Sequence, residues 1–259
     1  MRPQLTIKAA GRTDIGVKRR NNQDAILLAD DLTYFVLADG MGGHQGGEHA
    51  SAIATAAAGA VFSGAVTDAA LSSADRKSLA ALPDPAARIT RHAILEADRR
   101  IVEQSAKRPE LAGMGATIET LYIRDGAATI GHVGDSRIYR LRGGRLAQVT
   151  EDHSVLNEEL KRRRMTDEEI ANFPFKNRIV RALGHLADRR VDIHQVELAP
   201  GDLFLMCSDG LHDVADHEDV ERALAQLARE PVRACERLVE LAIAGGGPDN
   251  ISVIIVAVE

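Results

Sequence analysis

Short apolar runs closed by turn residues recur along the chain, separated by stretches with helical spacing. Residues 33–38 (TYFVLA) lie between Asp31 and Asp39-Gly40, the pattern of a buried strand that ends in a turn and holds Asp39 at its terminus. Residues 47–62 (GEHASAIATAAAGAVF) and 86–107, with Ile89, Ala93, Leu95, Ala97, Ile101 and Val102 among charges, predict two helices. From 115 to 150, β-rich runs broken by Arg124-Asp125-Gly126 and Gly143-Gly144 predict an antiparallel meander. Strands are expected again at 190–198 and 202–207, and helices from about Asp216 and Pro231. A last strand (ISVIIVAV) follows the break at Gly245-Gly246-Gly247-Pro248.

Two segments stand apart from this order. Residues 63–85, rich in Ala, Ser, Asp and Pro, read as a loose loop. Residues 151–178 are polar and charged, and Thr166 with Glu169 has capping-box form, so short helices in an exposed excursion are expected there, a candidate mobile flap. No repeat or long low-complexity segment divides the chain, so residues 1–259 are expected to form one domain. Strands and helices come in blocks, which argues for a layered α+β architecture with packed antiparallel sheets and helices on their outer faces.

Composition narrows the function classes. With 32 Lys plus Arg against 38 Asp plus Glu the net charge is −6, which argues against nucleic acid as a partner. The start of the chain lacks a charged segment followed by an apolar one, and no uncharged apolar run nears the roughly 20 residues that span a bilayer, so a cytoplasmic protein with no membrane partner is expected. Cys207 and Cys235 show no paired spacing and read as core residues of a reducing compartment. Two basic runs, Lys18-Arg19-Arg20 and Lys161-Arg162-Arg163-Arg164, break the acidic background; such runs are usually solvated, but the second is a candidate for steering an acidic or phosphorylated partner.

The candidate chemistry rests on aspartates. Asp24, Asp39, Asp209 and Asp249 each sit where an apolar stretch meets a turn, so a sheet could gather carboxylates scattered over the whole chain, and hard oxygen ligands suit Mg²⁺ or Mn²⁺. The glycine-rich piece 39–47 lacks the Lys-Ser/Thr ending and the spacing of nucleotide loops; glycine there lets the backbone approach a ligand. No H-E-x-x-H, C-x-x-C or G-x-S-x-G is present. His212 and His217 read as helix-start neighbours with Asp216 as an N-cap, and Asp30, Asp31, Asp84, Asp125 and Asp188 read as turn residues.

Taken in order, Arg19-Arg20-Asn21-Asn22-Gln23-Asp24, Asp39-Gly40-Met41-Gly42-Gly43-His44, Gly115-Ala116-Thr117, Gly134-Asp135-Ser136-Arg137, Cys207-Ser208-Asp209-Gly210-Leu211 and Asp249-Asn250-Ile251-Ser252 resemble the bacterial metal-dependent serine/threonine protein phosphatases of the protein phosphatase 2C-like family. The resemblance spans roughly residues 10–258. It implies a four-layer αββα sandwich and two Mn²⁺ or Mg²⁺ ions at one end. It also implies that Asp39 bridges both ions, that the Gly40 carbonyl, Asp209 and Asp249 complete their ligands, that Asp24 supports the site, and that Asp135 serves a third ion. Arg19 matches the arginine that grips phosphate, a task suited to a planar fork of donors. Two such ions about 3.5–4 Å apart can activate a water for in-line attack at phosphorus, so no nucleophilic cysteine is required.

The implied substrates are phosphoserine and phosphothreonine on proteins, in a pathway opposed to a serine/threonine kinase, acted on by a monomer. Two positions depart from the family pattern. Gln23 replaces a common glutamate, removing one negative charge near the second ion. Met41 stands where animal-type members carry a proposed general-acid histidine, which leaves His44 or a water as the proton donor. These departures leave open a module of the same fold that binds phosphoprotein without catalysis, and the shared site leaves open a phosphatase of small phosphate esters.

Overall fold

The computed structural model describes residues 5–42, 46–176, 178–187 and 189–259. In chain order, β1 (Ile7–Asp14) precedes the hairpin of β2 (Asp24–Leu28) and β3 (Tyr34–Met41). The helices α1 (Gly46–Phe62), α2 (Ser73–Ala80) and α3 (Pro85–Lys107) follow. Next come β4 (Gly115–Ala116), β5 (Ile118–Arg124), β6 (Ala127–Val133), β7 (Arg137–Arg142) and β8 (Arg145–Gln148). The polar excursion carries α4 (Val155–Arg162) and α5 (Asp167–Ala171), after which β9 (Asp192–Glu197), β10 (Leu203–Cys207), α6 (Asp209–His212), α7 (His217–Gln226), α8 (Pro231–Ala244) and β11 (Ile251–Val258) complete the chain.

The strands form two antiparallel sheets, ordered β1-β11-β10-β7-β8 and β2-β3-β5-β6-β9, with β4 paired to β3. Period-two alternation sorts their side chains into layers. Phe35 and Leu37 of β3 face Phe204, Met206, Ile254 and Val256 across the space between the sheets. Val36 and Ala38, one residue out of phase, pack under α1 and α3 with Ala54, Ala58, Ile94 and Leu95. On the far side Leu203, Leu205, Val253 and Ile255 meet Leu224, Leu238 and Val239 of α7 and α8. Three apolar layers between four layers of secondary structure bear out the expected sandwich. The alanines of α1 are what allow it to lie against β3 and α3 without side chains in between.

Three expectations are corrected. The stretch 115–150 is two hairpins in different sheets: β5 pairs β6 in one and β7 pairs β8 in the other. The chain crosses between them at Gly134, whose φ of +126° only glycine adopts without strain, and a Cβ there would lie 2.5 Å from Thr117 Cβ. Residues 63–85 hold α2, capped by Ser72 accepting from Asp75 N and tied down by an Arg189–Asp75 ion pair from more than a hundred residues away, a contact that local composition does not reveal. β3 continues to Met41, so Asp39 stands inside the strand, opposite Asp24 in register. Capping at Thr166 and Asp216 follows the sequence reading, as do the turn bonds of Asp31 to Thr33, whereas Asp84, read as a turn residue, is the N-cap of α3 and accepts from the Ala87 amide. Asp188 lies outside the described residues.

The crossing at Gly134 gives a stability test. Gly134→Ala should lower unfolding free energy by about 2 kcal/mol or more, from left-handed strain together with the Thr117 clash. The urea midpoint should fall with the m-value unchanged; a midpoint equal to that of the parent would remove the constraint.

Candidate active site

Four strand ends and their turns meet at one edge of the sandwich around a cleft of about 470 Å³, lined by Arg19, Gln23, Asp39, Gly40, Met41, Thr117, Asp135, Ile179, Asp209 and Asp249 among others. A larger cavity of about 700 Å³, lined by Leu5, Ile7, Ile123 and Leu198 with Asp125 and Glu197, lacks converging polar groups of this kind. Of the residues singled out from sequence, Arg19, Asp39, Gly40, Asp135, Asp209 and Asp249 border the cleft. Asp24 stands behind it, beside Asp39, buried and with Oδ2 accepting from Ser208 Oγ at 2.8 Å. His44 lies outside the described residues.

Backbone and hydroxyl contacts hold this edge together. The Asp39 amide donates to Thr117 Oγ1 at 3.0 Å, and Thr117 Oγ1 lies 2.9 Å from Ser136 Oγ. The Thr117 amide donates to the Asp39 carbonyl at 2.8 Å. Gly40 must be glycine: a Cβ would collide with the Gly47 carbonyl and come within 2.6 Å of Gln23 O. Asn250 ties its own turn to the β1–β2 loop at three points, accepting from the Gln23 amide at 2.8 Å and donating to Ile15 O at 3.0 Å and Asn21 O at 3.1 Å. Ser208 Oγ also accepts from the Ser252 amide at 3.0 Å, which locks the loop carrying Asp209 to the one carrying Asp249.

The sequence reading quoted Thr117, Ser208, Asn250 and Ser252 as parts of motifs but gave them no task. For Asp24, Asp135, Asp209 and Asp249 a hydroxyl or amide residue stands adjacent in sequence, whereas Asp39 is flanked by Ala38 and Gly40 and its partner Thr117 lies 78 residues away. His212, left out of the ligand set, sits with Nε2 3.1 Å from the Asp135 carbonyl and Nδ1 3.3 Å from Asp213 Oδ1, so it braces the backbone of Asp135.

Electrostatics mark the cleft as built for a cation. Burial, then the charge of Asp24, Asp209, Asp135 and Asp249, holds the Asp39 carboxyl well above the usual carboxylate range. Asp24 and Asp209 are each pushed up to about 6, both by burial first; Ser252 and Ser208 partly offset the rise at Asp24, and Asp249 adds to it at Asp209. Asp135 is pushed up to about 7 by burial and by Asp209, with His212 opposing. Oδ1 of Asp24 and Oδ1 of Asp209 are buried with no hydrogen-bond partner. Oxygen donors without partners, mutually repelling and solvent-poor, are the donor set that divalent Mg²⁺ or Mn²⁺ satisfies. The carboxylates ring the cleft rather than forming a ready-made cage: no group of three His, Cys, Asp or Glu side chains among the described residues closes to that extent.

Arg19 supplies the opposing charge. Its Nη2 pairs with Asp249 Oδ2 at 2.5 Å at the mouth of the cleft, which leaves the rest of its donor fork for a ligand. The second basic run is largely spent locally. Lys161 pairs with Glu151 and Glu158, and Arg163 with Glu159 and Glu169, consistent with a solvated helix end. Both cysteines are buried, and burial pushes the Cys235 thiol up to about 12, in keeping with core roles. Among the described residues no helix is long and apolar enough to cross a membrane.

The raised carboxyls fix the sign of a pH effect. Asp209 rises from 3.8 unfolded to about 6 folded, so below pH 4 both states are protonated and nothing is lost. Between about pH 4 and 6 the unfolded chain ionises first, and stability falls as pH rises, then stays lowered. In divalent-free buffer, Asp209→Asn should therefore stabilise the fold at pH 8 by on the order of 2 kcal/mol, about 5 °C in Tm, and by little at pH 4. Equal Tm values for variant and parent at pH 8 would show that the carboxylates do not repel one another.

The description "Protein phosphatase 2C" belongs to the family profile that matches residues 13–241. A serine/threonine protein phosphatase of Mycobacterium tuberculosis, PstP, is 36% identical over 255 residues, which cover 98% of this chain and 45% of PstP, so the chain spans about half the length of that relative. Protein phosphatase PhpP of Streptococcus pneumoniae is 34% identical over 95% of both chains. Among solved structures, the catalytic domain of PstP in complex with two manganese ions superposes with a TM-score of 0.81 at 34% identity, covering 98% of this chain and 99% of that one. With fold, cleft and sequence in agreement, the chain belongs to the protein phosphatase 2C family.

Proposed function

We propose that this protein hydrolyses phosphoserine and phosphothreonine on proteins with the help of two Mn²⁺ or Mg²⁺ ions, in the cytoplasm and in opposition to a serine/threonine kinase. The observation that carries the reading is the meeting of Asp39, Asp209 and Asp249 with Arg19 in a single cleft, where burial and neighbouring carboxylates raise Asp39 and Asp209, and Oδ1 of Asp209 has no hydrogen-bond partner. The naming of PstP and PhpP as protein phosphatases and the two manganese ions of the PstP catalytic domain support it.

In this reading Asp39, the Gly40 carbonyl, Asp209 and Asp249 would hold the two ions, and Asp135 would hold a third. Bound ions would supply the positive charge that makes a water nucleophilic near neutral pH and that offsets charge developing on the phosphoryl group. The chain's own residues do the rest. Asp24, held by Ser208, stands opposite Asp39 in register, and Thr117 fixes the Asp39 backbone. Arg19, with one donor on Asp249, has the remaining guanidinium edge to orient a phosphate monoester. Met41 and Ile179 form the apolar part of the wall, a surface suited to the residue that bears the phosphate. Residues 1–259 act as one catalytic domain, and the excursion 151–178 returns beside the cleft through Ile179 as a flap.

Phosphate release from a phosphothreonine peptide, measured with Mn²⁺ or Mg²⁺ added back to stripped protein, tests this directly. Asp39→Asn and Asp209→Asn should each lose at least about 100-fold in kcat while remaining folded. Arg19→Ala should raise KM about tenfold or more, the worth of a charged hydrogen bond to phosphate. Retained turnover in both aspartate variants would overturn the assignment of the site, and a parent protein that is folded yet inert with either ion would overturn it in favour of a non-catalytic binding module. Faster turnover of small phosphate esters than of phosphopeptides would move the substrate class.

A further inference from the structure

His153 makes more connections than its place at the start of the polar excursion requires. Its amide donates to the Gly134 carbonyl at 2.7 Å, and the Gly134 amide donates back to His153 Nδ1 at 3.0 Å. Its carbonyl accepts from the Val180 amide at 2.8 Å, and its Nε2 lies 3.1 Å from Asp192 Oδ2 on β9. One residue thus ties the turn that carries Asp135 to both ends of the segment 155–178 and to the edge of a sheet.

The ring is fixed for this purpose. It is buried at 2% exposure and stacks on His132 with centroids 4.4 Å apart. His132 is held in turn by Glu119 Oε1 at 2.6 Å and the Glu151 carbonyl at 2.9 Å. An Nδ1 that accepts from Gly134 places the ring proton on Nε2, where Asp192 accepts it. Arg181 Nη1 stands 2.8 Å from the same nitrogen, a contact between two donors, and its own hydrogen bond goes to Asp192 Oδ1 at 3.1 Å. Burial lowers the His153 pKa, which favours the neutral ring that this pattern needs.

The excursion is closed at the same point. The Val155 amide donates to Arg178 O at 2.9 Å and Ser154 bridges Ile179, so the segment leaves and returns beside His153, and Ile179 goes on to line the cleft. Arg137 grips Asp152, one residue before, through both carboxylate oxygens. Gly134 takes a left-handed backbone where a Cβ would lie 2.5 Å from Thr117, and Asp135 follows it directly, so the bonds that hold Gly134 also hold the start of the Asp135 turn.

We infer that His153 is a positioning residue that holds the Asp135 turn with one ring nitrogen and, through Asp192, the edge strand β9 with the other, so that the turn and that strand edge move as a unit. Its consequence for metal rests on the reading of Asp135 given above; the mechanical coupling does not.

Hydrogen exchange on the metal-free protein reads the two arms separately. Asn at 153 reproduces the Nδ1 acceptor but cannot reach Asp192, whereas Gln reproduces the reach of Nε2 but not the acceptor beside Gly134. His153→Ala should speed exchange at least about tenfold both in a peptide spanning 133–140 and in one spanning 189–197, which carries Asp192. His153→Asn should protect the first and lose the second, and His153→Gln should do the reverse. Calorimetric titration with Mn²⁺, without substrate, should show His153→Ala and His153→Gln weakened at the same step as Asp135→Asn, about 10- to 100-fold, with His153→Asn near the parent. Exchange in His153→Ala within twofold of the parent in both peptides, or the same loss in Asn, Gln and Ala, would overturn the inference. Altered exchange with a Mn²⁺ titration that moves in neither His153→Ala nor Asp135→Asn would overturn the Asp135 reading and leave the coupling standing.

Discussion

Repulsion among carboxylates at one edge of the sandwich is the constraint on which the rest depends. Asp24 and Asp39 face each other across β2 and β3, and Asp135, Asp209 and Asp249 add charge to the same poorly solvated space. Left alone, such an arrangement drives the groups apart or protonates them, and their raised pKa values show which way the balance tips. The fold must hold them in place against that force. It does so with a large apolar interior in three layers and with short polar bonds to backbone, so that no carboxylate relies on its own side-chain torsions.

Those bonds share a design. Polar residues around the carboxylates tie distant parts of the chain together: Thr117 binds the Asp39 amide, Ser208 bonds the Asp24 carboxylate and the Ser252 amide, Asn250 beside Asp249 holds the β1–β2 loop, and His212 holds the Asp135 carbonyl. Two glycines allow the backbone to come close enough. Gly40 sits against Gly47, and Gly134 against Thr117, positions where any Cβ would force strands apart. The carboxylate face of the cleft is therefore more a property of backbone packing than of the aspartates themselves. An aspartate moved to a neighbouring position would find neither the strand phase nor the anchor.

Much of this was legible in the sequence, and the failures share a cause. Strands such as 33–38 and 251–258 and helices such as Pro85–Lys107 were readable because period and capping are local signals. The aspartates were readable because each marks the boundary of an apolar run. What could not be read was which sheet a strand joins. The β5–β6 and β7–β8 hairpins look like one meander along the chain, and only a left-handed Gly134 separates them into two layers. The helix at Ser73–Ala80 was read as a loop because Asp75 is held by Arg189, a distant partner that no window of sequence contains. The tasks of Ser208 and Asn250 were hidden for the same reason, since their partners lie about 40 to 230 residues away.

That crossing between sheets has a consequence for the cleft. A meander kept within one sheet would leave 134–136 as an ordinary hairpin turn at its edge, remote from Asp209. By passing from one sheet to the other, the chain carries Asp135 over the gap between them, to a position where Asp209 feels its charge and His212 reaches its carbonyl. The same crossing leaves β6 free to pair with β9, which brings Asp192 and the return of the excursion to the base of the turn. One glycine with a left-handed backbone thus places a carboxylate in the cleft and, through its two bonds with His153, the root of the excursion at the cleft wall. The position of the polar segment follows from the topology of the sheets, and its own sequence has only to supply the short helices that α4 and α5 provide.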